Sequence, residues 1–442
     1  MTTTDAPNRV VLAEYFTSED LTLLFIVRQD FDEPHVVPLE ISLSELRAAV
    51  ATSFRSSAAI RRQTPEQTEK WNACLVPLVE PLLDWTEPGD IIWFVPHDIL
   101  HYVPLHAVRI NGRYLIERNP VSSTPSASVM KYCQARRRPR SGRALVVGDS
   151  LGDLEHARAE ARTVAALFGT SPIIGRQASK SRLLRELSSL EQPLDVLHLA
   201  CHGKLDRDQP LKSGILLAPE SESAASGTPV GRERLTAEEI FQLEIDAGLV
   251  TLSACETGIN DRKPGDELIG LTRSLIYAGT PSVLVSLWEV DDLSTRLLME
   301  RFYEFLGSAS TSSEPQMNKA QALQRAQCEL LRMTADELRA WSEKRLAREA
   351  VGDNPIELVQ AKIDQATTAA LCGEISTARA MIDDELTHLS RTSDTELRVR
   401  LRRLQRKLSG SPEEQAVSES DPAYPFPHIY HWAAFSLIGD WR

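Results

Sequence analysis

The chain has 442 residues, 42% of them apolar and 25% charged, which is enough apolar material for about two to four compact domains. Acidic residues outnumber basic ones by 62 to 49, and the formal charge of −13 argues against a nucleic-acid partner. The longest apolar runs hold five residues, so no membrane-spanning helix is predicted, and the amino terminus lacks the pattern of a secretory signal. We therefore expect a cytoplasmic protein with no membrane partner.

The six cysteines are scattered and include no C-x-x-C pair. A cytoplasmic chain keeps such thiols reduced, so neither disulfides nor a zinc site is predicted.

Residues 1–133 have the pattern of an α+β segment. Two β-rich runs flank the polar turn at residues 17–20 and predict a hairpin, which the run HVVPLEIS extends. Helical periodicity follows over residues 43–53 and 65–83, and the strand DIIWFVP comes next. The pair Asn111-Gly112 lies between two strand-like runs and predicts a second hairpin, because a type I′ turn needs positive φ at both positions.

Beyond a basic stretch at residues 134–143, predicted to be a solvated linker, strands and helices alternate over residues 144–306. This alternation predicts an α/β fold with a doubly wound, mostly parallel sheet flanked by helices. The strands LDVLHLA and GLVTLSA are apolar almost throughout, as expected of central strands that are covered on both faces.

The character of the chain changes at residue 307. Charged, amphipathic helices with polar, flexible flanks extend to residue 426 and are interpreted as a helical insertion. Residues 427–442 contain the run HWAAFSLIG, which predicts a final core strand.

Reactive side chains follow the two central strands. LDVLHLA runs into Cys201-His202-Gly203, and GLVTLSA runs into Cys255. In parallel sheets functional residues collect at the carboxyl ends of strands. His202 and Cys255 are 53 positions apart, which agrees with the caspase spacing of roughly 50 residues between histidine and nucleophile.

This pairing suits nucleophilic catalysis. A thiol with a pKa of ~8.5 is mostly protonated at neutral pH, and a nearby imidazole favours the thiolate. Cys255 is therefore the predicted nucleophile and His202 the base. The backbone N–H groups of Gly203 and Cys255 are candidates for an oxyanion hole.

The segments LHLACHGKLD, LVTLSACETG, DELIGLTRSLIYAGTPSVLVSLWEVDD and HWAAFSLIGDW resemble the CHAT family, caspase-like cysteine peptidases of clan CD. The resemblance runs from about Val10 to Trp441, and the helical insertion departs from it. It implies a caspase-hemoglobinase fold, the dyad His202 and Cys255, and hydrolysis of peptide bonds in a protein substrate without metal or organic cofactor. It also suggests regulated proteolysis in bacteria, including defence. Two hypotheses stay open for the helical insertion: it binds a protein activator, or it covers the sheet edge beside the last strand.

The stretch LWEVDD is similar to the LWDVTD stretch of separases, whose acidic pocket accepts a basic residue before the cleaved bond. The similarity implies that Asp291 and Asp292 bind the substrate and select Arg or Lys, since a carboxylate pairs well with guanidinium. Alternatively, these acids cap the helix predicted from Leu293.

Three other interpretations stay open at this point. Residues 148–152 spell both G-x-S-x-G and the GDSL block, which makes Ser150 the nucleophile of a serine hydrolase. Against this, the D-x-x-H block containing His198 precedes the G-x-N-D block, the reverse of the order in GDSL enzymes. The chain could also be a catalytically idle scaffold that binds peptides, or Cys255 an inert buried thiol. His198 and His202 lie roughly 13 Å apart along a strand, too far for one zinc ion, so His198 is predicted to be a core residue or one that supports a site residue.

Overall fold

A computed structural model describes residues 9–54, 56–204, 206, 209–220, 233–253, 267–288, 292–307, 317–352, 355–389, 398, 401–402, 404–406, 408 and 422–442. The chain divides into two compact units, the first made of residues 1–328 and 432–442 and the second of residues 329–431. None of the helices in the described part is long and apolar enough to cross a bilayer.

The strands of the described chain all belong to the first unit. They are β1 (Val10–Thr17), β2 (Thr22–Arg28), β3 (His35–Leu39), β4 (Ile91–Val95), β5 (Arg109–Ile110), β6 (Arg113–Tyr114), β7 (Val121–Ser123), β8 (Ala144–Gly148), β9 (Ile173–Ile174), β10 (Leu194–Ala200), β11 (Gly203–Lys204), β12 (Gly214–Leu217), β13 (Glu233–Thr236), β14 (Ala247–Leu252), β15 (Ser282–Ser286) and β16 (Phe435–Gly439). Among the described residues, eleven strands form one sheet in the order β3-β2-β1-β4-β7-β16-β15-β14-β10-β8-β9. Only the pairs β1–β2, β2–β3 and β15–β16 of this sheet are antiparallel.

The helices whose bounds lie within the described residues are α1 (Leu43–Ser53), α2 (Ser57–Arg61), α3 (Pro65–Val79), α4 (Ala127–Ala135), α5 (Glu155–Leu167), α6 (Lys180–Ser188), α7 (Ala237–Ile240), α8 (Glu267–Tyr277), α9 (Asp292–Leu306), α10 (Lys319–Arg332), α11 (Ala335–Val351), α12 (Pro355–Leu371), α13 (Ile375–Leu389) and α14 (Ile429–Trp432). Helices cover both faces of the sheet at β10. Leu197 and Leu199 pack in one cluster with Leu271 of α8, whereas His198 between them contacts Tyr303 of α9. The predicted α/β class, a mostly parallel sheet flanked by helices, is confirmed.

The predicted hairpins near the amino terminus are present. β1 and β2 pair across the turn at residues 18–21, and Asn111 and Gly112 have φ of 51° and 80° between β5 and β6. The helix predicted over residues 65–83 ends at Val79 and continues as a 3-10 helix to Asp84. Pro81 lies in this short segment and has no N–H for an α-helical hydrogen bond.

The final strand lies inside the sheet. β16 pairs with β15 on one side and with β7 on the other, so strands from both sides of the basic stretch share one sheet. Directly after β16, the fully buried carboxylate of Asp440 accepts hydrogen bonds from Arg137 at 2.8 and 2.5 Å, and Nζ of Lys319 is 3.9 Å away. Arg137 of the basic stretch therefore holds the end of the last strand. The domain boundaries drawn from the sequence stay a prediction.

The second unit is helical. α12 packs against α11 and α13, and its core includes Ile363 and Ile382. Nε of Arg345 on α11 lies 3.1 Å from a carboxylate oxygen of Asp364 on α12, and both side chains are buried. Since a buried charge is costly without its partner, this ion pair favours one register of the two helices.

Two neighbouring ion pairs allow a matched test of the first unit. Replacing Arg137 by Ala leaves the buried Asp440 carboxylate without its main partner, so we expect a loss of about 3 kcal/mol in the free energy of unfolding. Arg138 pairs at 3.0 Å with Asp246, but both side chains are about half exposed. Arg138→Ala should therefore cost less than about 1 kcal/mol. Urea unfolding measures both variants; equal losses would contradict the assigned role of Asp440.

Candidate active site

The carboxyl ends of β10 and β14 lie side by side. The two strands pair in parallel with His198 opposite Thr251 and Leu199 opposite Leu252. Beyond the paired residues, the backbone N–H of Ser253 donates to the carbonyl oxygen of Leu199 at 3.0 Å. The strands thus deliver the chain after Ala200 and the chain after Leu252 to the same edge of the sheet, as the sequence predicts.

His202 lies at this edge, two residues beyond the end of β10. Its side chain is mostly buried, and the residue as a whole is 8% exposed. Nε2 of the imidazole lies 2.7 Å from Oδ1 of Asp153, whose side chain is half exposed. The backbone carbonyl of His202 accepts a hydrogen bond of 2.7 Å from the N–H of Leu216 on β12. His202 is therefore held in place both through its imidazole ring and through its backbone carbonyl.

The loop that carries Asp153 follows β8, the neighbour of β10 on the other side. The backbone N–H of Asp149 donates to the carbonyl of Ala200 at 2.8 Å, which ties the loop to the strand of His202. Asp149 is fully buried with a φ of 48°, and its carboxylate accepts hydrogen bonds from the N–H of Leu154 and from Arg158. This buried, charged anchor keeps the loop at a fixed position relative to β10.

Gly148 permits the close approach of α5 to the same loop. A Cβ at this position would come within 2.6 Å of the Cβ of Ala161 and 2.9 Å of the carbonyl oxygen of Ala157. Both contacts are shorter than normal van der Waals distances, so only glycine fits without a shift of the helix.

A small sheet supports the segment after His202. Gly203 opens β11 and pairs with Ile215 of β12, and β12 pairs in turn with β13. Gly203 thus lies directly beside His202 on an ordered strand, and its role in an oxyanion hole stays a prediction. This three-stranded sheet was not predicted from the sequence, since its strands have only two to four residues each.

Three of the predicted site residues lie at least partly outside the described part of the chain. Cys255 and Asp291 are not among the described residues, and Asp292 is described only in its backbone, where α9 begins. The structure therefore fixes the histidine side of the predicted dyad and the strand that leads to Cys255. The roles of Cys255, Asp291 and Asp292 stay predictions.

Cys201 does not have the environment of a nucleophile. It is fully buried beside His202, and burial raises the pKa of its thiol to about 11. A thiol that is neutral and shielded from solvent reacts poorly. Cys201 packs instead in the core cluster that includes Leu199 and Leu271.

Ser150 has a structural environment as well. Only 2% of the residue is exposed, and its hydroxyl donates a hydrogen bond of 2.6 Å to the carbonyl of Leu216. The backbone N–H of the same residue, Leu216, donates to the carbonyl of His202. Ser150 therefore ties its loop to β12, and this geometry does not favour the serine hydrolase interpretation.

His198 is a core residue, as predicted. It is fully buried, its Nδ1 lies 3.0 Å from the hydroxyl of Tyr303, and its Nε2 lies 3.1 Å from Glu160. The Tyr303 hydroxyl in turn donates to Thr251 of β14 at 2.7 Å. This polar cluster joins β10 and β14 to the helices on one face of the sheet.

The residue that sequence reasoning missed is Asp153. It is 49 positions from His202, and its only signal is its place after β8, another strand of the βαβ pattern. Carboxyl ends of neighbouring strands share one edge, so that place could have suggested it.

The chain is similar to several known proteins. Tetratricopeptide repeat protein 28 of Mus musculus is 24% identical over 258 residues, which cover 47% of this chain and 10% of that protein. The aligned part of the chain thus spans a tenth of the length of this curated relative. The separase–securin complex of Saccharomyces cerevisiae is structurally similar with a TM-score of 0.46 and 10% identity, over 72% of this chain and 29% of that one.

A second similar structure is gingipain R of Porphyromonas gingivalis, an Arg-specific cysteine proteinase. Its TM-score is 0.37 at 11% identity, over 64% of this chain and 69% of that one. The family model of the CHAT domain matches residues 68–440, which is most of the chain. On this match, the protein belongs to the CHAT domain family.

Proposed function

We propose that the protein is a cysteine endopeptidase that cuts peptide bonds in a protein substrate, with Cys255 as nucleophile and His202 as general base. The observation that carries this proposal is the geometry of His202. A mostly buried imidazole lies at the carboxyl end of a central strand, is held by Asp153, and adjoins the end of the strand that leads to Cys255.

The register of β10 and β14 supports the pairing of the two residues. Partners in the two strands differ by 53 positions, as His198 and Thr251 do. His202 and Cys255 are separated by the same 53 positions. The sequence separation of His202 and Cys255 therefore equals the offset between neighbouring positions of β10 and β14.

The chemistry follows from this pair. His202 takes the proton of the Cys255 thiol, and the sulfur forms a bond to the carbonyl carbon of the substrate. The N–H groups of Gly203 and Cys255 would stabilise the negative oxygen. The C–N bond then breaks, His202 returns the proton to the leaving amine, and water hydrolyses the acyl-enzyme.

We also propose that the protein prefers substrates with Arg or Lys before the cleaved bond. Asp291 and Asp292 follow Trp288, the last residue described after β15, which neighbours β14 in the sheet. Carboxylates near the end of β15 would favour Arg or Lys before the cleaved bond by charge and paired hydrogen bonds. The helical second unit is proposed to bind a protein activator.

Separate replacement of the two candidate nucleophiles distinguishes the peptidase from the serine hydrolase. Cys255→Ala should abolish cleavage of a positional peptide library, because removing a nucleophile costs on the order of 10⁶-fold in rate. Ser150→Ala should retain most of the activity and lose about 1 kcal/mol of stability with its hydrogen bond. If Ser150→Ala abolished cleavage and Cys255→Ala did not, the result would contradict the proposal.

Covalent labelling distinguishes a peptidase from an idle peptide-binding scaffold. A peptidyl acyloxymethyl ketone should modify Cys255, as located by peptide mass spectrometry, while Cys201 stays unmodified because it is buried and its thiol is neutral. His202→Gln is the control and should remove the labelling. If peptides bind but Cys255 is never modified, the chain is a scaffold.

The substrate-binding role of the two acids has its own test. Asp291→Asn and Asp292→Asn should lower kcat/KM for Arg and Lys substrates about ten- to a hundred-fold, the worth of a hydrogen bond to a charged group. Substrates with an uncharged residue before the cleaved bond serve as the control. Unchanged Arg preference in both variants would favour the interpretation that these acids only cap α9.

A further inference from the structure

The loop at residues 148–153 resembles a hydrolase motif in sequence, yet its residues serve another purpose in the structure. Asp149 anchors the loop to β10 and α5, and Ser150 anchors it to β12. The last residue of the loop, Asp153, has its carboxylate oxygen 2.7 Å from Nε2 of His202. The hydrogen bonds of Asp149 and Ser150 therefore help to hold the Asp153 carboxylate beside Nε2 of His202.

We propose that Asp153 is a positioning residue that keeps the proton of the neutral His202 ring on Nε2. Nδ1 is then the atom that exchanges a proton with the thiol of Cys255. The inference rests on the proposed function, because the base role of His202 is part of it. An ionised carboxylate can only accept, so the hydrogen bond at 2.7 Å requires an N–H at Nε2. The lone pair of the neutral ring is then on Nδ1.

The proton balance of the reaction follows from this tautomer. Nδ1 takes the proton of the Cys255 thiol while the Nε2–H proton remains hydrogen-bonded to Asp153. The ring is then a cation between the carboxylate and the thiolate. Nδ1 gives its proton to the leaving amine when the C–N bond breaks, which returns the ring to its starting tautomer.

The exposure of the two partners sets the size of the effect. His202 is mostly buried, but the Asp153 side chain is half exposed and its charge is screened by water. We therefore expect Asp153→Ala to lower kcat about tenfold with little change in KM, far less than the roughly 10⁴-fold loss for a buried triad aspartate. Asp153→Glu keeps a carboxylate and should recover part of the rate.

A spectroscopic readout tests the inference without any peptidase activity. Protein labelled with ¹⁵N-histidine and carrying Cys255→Ala is examined by NMR, and the His202 signals are assigned by their loss in His202→Gln. We expect a protonated Nε2 whose hydrogen exchanges slowly with water, because a charge-assisted hydrogen bond and burial protect it. Asp153→Ala should lose this slow exchange, whereas Asp20→Ala, at an exposed acid in a distant turn, should keep it.

The outcomes separate the two proposals. A protonated Nδ1 in the parent, or an Nε2–H signal that Asp153→Ala leaves unchanged, would overturn the positioning role. If the wild-type chain cuts no peptide and resists active-site labelling while the Nε2–H signal depends on Asp153, the proposed function fails and the positioning contact stands. Thermal unfolding of Asp153→Ala checks that the fold is intact.

Discussion

The parallel pairing of β10 with β14 is the constraint on which the candidate site depends. It fixes which positions of the two strands are neighbours, so it determines where the chain leaves the sheet on each side. β8 pairs with β10 on the opposite flank and brings a third carboxyl end to the same edge. Three strands thereby bring together His202, the chain that leads to Cys255 and the loop of Asp153, although these segments are far apart in the sequence.

Around this edge, burial and hydrogen bonding give similar residues different roles. Cys201 is adjacent to His202 in sequence but points into the core, where its thiol stays neutral. Ser150 lies in a block that resembles a hydrolase motif, but its hydroxyl donates a hydrogen bond to the carbonyl oxygen of Leu216. Asp149 is buried and pairs with the partly exposed Arg158, whereas Asp153 reaches the imidazole. Residue type alone would not have separated these roles.

Local patterns predicted much of the fold. The Asn111-Gly112 hairpin and the apolar central strands follow from backbone preference and from burial on both faces, which neighbouring residues determine. The contacts of Asp153 with His202 and of Arg137 with Asp440 join positions 49 and 303 apart. They depend on the order of strands in the sheet, which periodicity does not encode. The role of the block at residues 148–153 was missed for the same reason, since its bonds go to other strands.

If His202 makes Cys255 reactive, the pH dependence of alkylation reports it without a substrate. Iodoacetamide modification of Cys255 is followed by peptide mass spectrometry from pH 5 to 10 in wild type and His202→Gln, with the partly buried Cys74 as internal reference. We predict rapid modification of Cys255 at neutral pH in the wild type. In His202→Gln this rate should fall and rise only near the ordinary thiol pKa of ~8.5, while the rate of Cys74 is the same in both proteins. Identical profiles for Cys255 in the two proteins would contradict this prediction.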